Sequence, residues 1–119
     1  MSTQILEYVK NRKGNRVGVF VAAVQADETV QIGWSKCHGT KDKWNRERGI
    51  DIATRRAKSG SMVPMPLMIE DKVEGFLERA RRYFKGREIV KTFVTQAEAA
   101  ELAAATDVTA VIEHELKQG

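Results

Sequence analysis

Residues 17–25, VGVFVAAVQ, alternate as a strand does but are apolar on both faces. Val17, Val19 and Val21 fall on one side, and Phe20, Ala22 and Val24 on the other. Such a strand has no face to give to water, so it must be buried on both sides or lie centrally in a sheet. Residues 26–29, ADET, then form a turn, and Val30, Ile32 and Trp34 alternate with Gln31, Gly33 and Ser35 as a second strand with one wet face. Together they predict an antiparallel hairpin over residues 17–37. Two strands are marginal alone, so helices or a third strand must cover them.

The rest of the chain supplies those covers. In residues 1–16, Ile5, Leu6 and Val9 have helical spacing after Ser2 or Thr3, which predicts an N-terminal helix or an extended arm; residues 11–16 close it as a polar turn. A basic helix is expected over 40–59, capped by Thr40 or Asp42 and clearest after Gly49, with Ile50, Ala53 and Ala57 inward and Asp51, Arg55 and Lys58 outward. Trp44 falls off that stripe, which suggests a bend near Gly49 or a separate first turn. Residues 62–69, MVPMPLMI, carry two prolines and read as an apolar connector, neither regular helix nor central strand.

Residues 70–86 form an amphipathic helix, acidic at its start and basic at its end, with Val73, Phe76, Leu77, Ala80 and Phe84 buried and Gly86 as its stop. Residues 89–94 offer a third strand. Thr95 and Glu98 frame a capping box that opens an alanine-rich helix or helix pair over 95–117, interrupted at Thr106–Asp107. The expected class is α+β: an antiparallel β-hairpin or three-stranded sheet packed against two to three helices, in a single domain over 1–119.

Composition narrows the function classes. No apolar run approaches the length needed to cross a bilayer, and the N-terminal residues lack a signal-peptide core, so a cytoplasmic, non-membrane protein is expected. The single cysteine, Cys37, forms no internal disulfide and fits that compartment. Cys37-His38 with His114 is too small a ligand set for zinc, and nothing in the spacing sets a base beside Cys37, so no metal, cofactor or catalytic residue is assigned. Phosphate-loop, dinucleotide and hydrolase motifs are absent. The expected protein is non-enzymatic.

Charge is the positive clue. The formal net charge is +4, yet residues 41–91 hold fourteen cations against eight acids, while residues 92–119 hold one cation against five acids. The densest stretch contains Lys41, Lys43, Arg46, Arg48, Arg55, Arg56 and Lys58, with Trp44 available to stack on a base. Arg79, Arg81 and Arg82 extend the set on the second helix. These residues predict a nucleic-acid-binding surface. The bland alternative is a solvated helix face docked on the acidic tail. That tail lacks the turn glycine of a helix-turn-helix, having Ala104 there, and its acidity suits a DNA-reading helix badly. It is expected to pack in cis or across a homodimer.

Gly33, Trp34, Ser35 and Cys37, followed by Asp42, Trp44, Gly49, Ile50, Ile52, Ala53, Arg56 and Ala57, form a wider pattern. A strand ending in Gly-aromatic-Ser-x-Cys leads to Gly-hydrophobic-x-Ile-Ala-x-x-Arg-Ala. The pattern, covering the middle half of the chain, resembles a group of uncharacterised small bacteriophage proteins. The resemblance implies a viral origin, a host-cell cytoplasmic location and no defined activity. It also raises a second expectation: an inhibitor or regulator that binds a host protein, for host takeover or anti-defence, through the acidic C-terminal helix or the 62–69 connector.

Overall fold

The computed structural model describes residues 3–37, 43–61 and 63–104. Strands β1 (Gln4–Lys10), β2 (Arg16–Val24) and β3 (Val30–Lys36) are followed by helices α1 (Arg46–Ser59) and α2 (Leu67–Tyr83) and the short strand β4 (Ile89–Val90). A further helical stretch, α3, covers 96–104. The strands form one sheet in the order β1-β2-β3-β4. β1–β2 and β2–β3 pair antiparallel, whereas β4 joins β3 in parallel. This is the α+β arrangement expected, with a four-stranded mixed sheet.

β2 is central, and its two apolar faces meet two different helices. Phe20 and Ala22 join Ile5, Val9, Val30, Ile32 and Trp34 in a cluster with Ile69, Val73, Phe76, Leu77 and Ala80 of α2. Val19, Val21 and Ala23 join Ala53 and Ile50 of α1, with Leu6, Tyr8 and Trp44 packed alongside. α1 and α2 therefore lie on opposite faces of the sheet. The α2 face is built from large side chains, whereas the α1 face admits the helix backbone itself. A Cβ added to Gly33 would stand 1.8 Å from the Ala53 carbonyl oxygen and 2.7 Å from the Ala57 amide nitrogen.

Of the helix or extended arm expected over 1–16, the described residues take the extended form, an edge strand followed by a tight turn. Ile5 and Val9 are four apart, a spacing that puts both on one helix face and equally on one strand face. The open edge of β2 settles it: Ile5 pairs with Ala22 and Val9 with Gly18, while Leu6 and Tyr8 turn to the α1 side. The turn is held by Asn11, whose Oδ1 accepts from the amides of Lys13 and Asn15, both at 3.0 Å.

Two helix starts also differ from expectation. α1 is capped by Asn45, whose side chain accepts from the Arg48 amide at 3.0 Å; Thr40 and Asp42 lie outside the described residues. α2 begins at Leu67 after Pro66, so the last residues of the apolar connector are helical. Proline is tolerated there because its missing N–H would have no partner at a helix start. The strand expected over 89–94 is shorter: β4 has two residues, and Val94 makes only an isolated bridge to Pro64. Thr92 continues the edge with its side chain, Oγ1 donating to the Ile32 carbonyl at 2.8 Å and accepting from the Ile32 amide at 3.3 Å. Thr95 Oγ1 accepts from the Glu98 amide and opens α3, whose continuation past 104, with Thr106, Asp107 and His114, lies outside the described residues.

The β2–β3 turn carries a pH-sensitive cap. Asp27 accepts from the Thr29 hydroxyl at 2.6 Å and from the Thr29 amide at 3.0 Å. These bonds hold its carboxyl below the usual range. A depressed pKa stabilises the fold above the unfolded-state value of 3.8, and that contribution disappears as pH falls through the lower folded-state value. Asp27→Ala is therefore expected to flatten the acid limb of stability measured by urea unfolding between pH 5 and pH 2. An unchanged acid limb would show that the turn does not depend on the carboxylate.

Candidate nucleic-acid interface

The register brings separate cations to one end of the sheet. Lys10 pairs with Arg16, and Gly18 pairs with Lys36, so the β1–β2 turn and the end of β3 share that end. α1 starts there as well, because the Ser35 hydroxyl donates to the Gly49 carbonyl at 2.7 Å. Lys10, Arg12, Lys13, Arg16, Lys36, Lys43, Arg46 and Arg48 thus surround one corner, and Glu47 is the sole carboxylate among the described residues of 10–16, 36–37 and 43–48.

Tyr8 joins the corner together. The Arg46 Nε donates to its hydroxyl at 2.7 Å, the Arg16 guanidinium lies 4.2 Å from its ring centroid, and Trp44 meets it edge-on at 6.3 Å. The Tyr8 hydrogen bond also holds the Arg46 pKa above its ordinary value. Two guanidiniums are thereby fixed on one ring. Arg16 itself is exposed and takes part in this cation–π contact over the ring.

A cleft of about 440 Å³ opens beside Tyr8's neighbours, between the end of β3 and the start of α1. Lys36, Lys43, Arg48 and Arg56 line it together with Cys37 and Trp44. Among its described lining residues no acid is present. The first amides of α1 add the positive end of the helix dipole.

The sequence-derived candidates divide. Lys43, Arg46 and Arg48 stand at the corner. Arg55 and Lys58 project from the far half of α1, and Arg55 pairs with Asp51 one helical turn back. Arg56 turns towards β3: its Nη1 donates to the Trp34 carbonyl at 3.0 Å, and its guanidinium covers the Trp34 ring at 4.2 Å. Burial lowers its pKa. Arg79, Arg81 and Arg82 belong to α2 on the opposite face, and Arg79 is already engaged by the Leu6 carbonyl and Glu7. They do not converge with the α1 cations. Trp44 is half-buried: the tip of its ring would lie 2.6 Å from a Cβ on Gly49, so the ring roofs that glycine instead of standing free to stack. Lys41 and His38 lie outside the described residues, and Cys37 is half-buried in the cleft wall.

Sequence reasoning missed Lys10, Arg12, Lys13, Arg16 and Lys36. The signal was present as a run with four cations and no acid over residues 10–16. Its proximity to α1 depends on strand register, which residue spacing does not reveal.

Comparison of the chain with family models, with curated proteins and with solved structures finds no match. Among the described residues no helix is long and apolar enough to cross a membrane.

Proposed function

We propose that the chain is a non-enzymatic nucleic-acid-binding protein whose contact surface is the cationic corner formed by the β1–β2 turn, the end of β3 and the start of α1. The single observation that carries this reading is the convergence of Arg12, Lys13, Arg16, Lys36, Lys43, Arg46 and Arg48 from three separate segments, with Glu47 the one carboxylate among the described residues of 10–16, 36–37 and 43–48. Cations so close together repel one another, and a phosphate backbone supplies the repeated negative charge that relieves them. The interface is smaller than the sequence suggested, since the α2 arginines sit on the other face. The bacteriophage resemblance is compatible with this role.

Binding of DNA and RNA oligonucleotides across a salt series tests the proposal. Affinity is expected to fall steeply with ionic strength, and Arg12→Gln/Lys13→Gln should reduce the logarithmic salt slope by about one per lost phosphate contact. Arg81→Gln/Arg82→Gln should leave the slope unchanged. Absence of binding at low salt sinks the proposal. A host-protein partner is the second reading, favoured by the exposed apolar side chains Val63, Leu67 and Met68 around the start of α2. A partner retained from nuclease-treated host lysate and lost in Leu67→Ser would favour it.

A further inference from the structure

The cleft between β3 and α1 gathers more positive charge than one internal phosphodiester carries. Its described walls present Lys36, Lys43, Arg48 and Arg56, with no carboxylate among them. Arg56 is the most telling of the four. One of its guanidinium nitrogens is committed to the Trp34 carbonyl, and partial burial removes some of its hydration. Among the described residues it has no carboxylate partner. A partly desolvated cation without a counter-ion calls for an anion. Lys43 and Arg48 are exposed at the cleft mouth and free to close on that anion. The Asn45 side chain already caps the Arg48 amide, so the helix contributes its dipole and leaves charge recognition to the side chains.

An internal phosphodiester brings one negative charge. A phosphomonoester brings about −1.5 to −2 at neutral pH and three acceptor oxygens, a better match to several converging donors. The cleft volume of about 440 Å³ falls within the range that holds a small ligand such as one nucleotide.

We propose that this cleft binds a phosphomonoester carried by a nucleotide, either the terminal phosphate of a nucleic-acid strand or a free nucleoside monophosphate. The inference deepens the nucleic-acid reading and rests on it for the strand-end source. On this view the hairpin cations hold the backbone while the cleft takes the end.

The experiment compares one oligonucleotide bearing a 5′-phosphate, a 3′-phosphate or hydroxyl ends, with adenosine monophosphate titrated separately by calorimetry. One phosphorylated end is expected to bind about tenfold tighter than the hydroxyl-ended strand, the effect of one charge-assisted hydrogen bond. Lys43→Gln/Arg48→Gln should abolish that preference, with the thermal melt unchanged because both side chains are exposed. Arg12→Gln/Lys13→Gln should weaken all strands yet keep the preference. The preference should also shrink below about pH 6, where the monoester loses its second charge. Binding of the monophosphate alone, lost in Lys43→Gln/Arg48→Gln, also supports the cleft and identifies free nucleotide as the source. Equal affinity for phosphorylated and hydroxyl ends, with no monophosphate binding, overturns the inference while leaving backbone binding intact. If no oligonucleotide binds at low salt, the nucleic-acid reading fails, and the monophosphate titration alone then decides for or against the cleft.

Discussion

Gly33→Ala is expected to destabilise the protein by more than about 3 kcal/mol, beyond the ordinary cost of overpacking. The added methyl carbon would overlap the Ala53 carbonyl oxygen, standing 1.8 Å away, and would also crowd the Ala57 amide. Both obstacles are backbone atoms of a regular helix, so no rotamer change relieves them. α1 would have to lift from the sheet, separating Ala53 from Val19, Val21 and Ala23. Gly75→Ala is the control. Gly75 lies on the exposed face of α2 with open space around its would-be Cβ, so the same substitution should stabilise by about 0.5–1 kcal/mol through helix propensity. Urea unfolding of the two variants measures both effects. A Gly33→Ala protein within about 1 kcal/mol of the parent would mean that α1 does not rest on that glycine. Lifting α1 also displaces Arg46 and Arg48, so nucleic-acid affinity should fall with stability.

On the opposite face, Phe76→Ala is expected to cost about 3–5 kcal/mol, the range for emptying a buried aromatic site. Phe76 is fully buried and stacks on Phe20 with centroids 5.0 Å apart and planes 13° from parallel. Its neighbours come from both strand and helix, which limits collapse into the void. For a domain whose total stability is of order 5–15 kcal/mol, this loss is a large fraction. Because β2 belongs to both clusters, unfolding should remain one transition at lower denaturant and not separate into two. A cost under about 1.5 kcal/mol would show that the ring is not part of a tight core.

The elements whose signals are local were legible before the fold was seen. The alternation of residues 17–25 marked β2, and the polar start and basic end of the second helix marked α2. Even there, the boundary at Leu67 followed Pro66 and not the first acid. β1 was not legible, because Ile5 and Val9 satisfy both the helical and the strand period. Only an unpaired edge on β2 distinguishes them. Trp44 likewise looked like an available stacking surface until its place over Gly49 and against Tyr8 removed much of it from solvent.

The site followed the same division. Composition marked a basic middle of the chain, and the helical stripe of α1 turned most of its cations outward. Arg56 was an exception, since β3 needed a donor at its open edge and the Trp34 carbonyl received it. The arginines of α2 were correctly exposed at Arg81 and Arg82 but on the wrong side for a shared surface. Helical periodicity orders residues around one axis and carries no information about which face of a sheet that helix will cover.

What is written locally in this chain is a two-faced apolar strand, and from it the need for cover on both sides. Burial of alternating side chains depends only on neighbours along the chain, so it can be read there. Which helix covers which face, and which cations meet at the corner beside Tyr8, depends on strand register and long-range packing. Those relations join Lys10–Arg16 to Lys36 and Lys43–Arg48 across the fold. They exist only once β1, β3 and α1 have closed around β2.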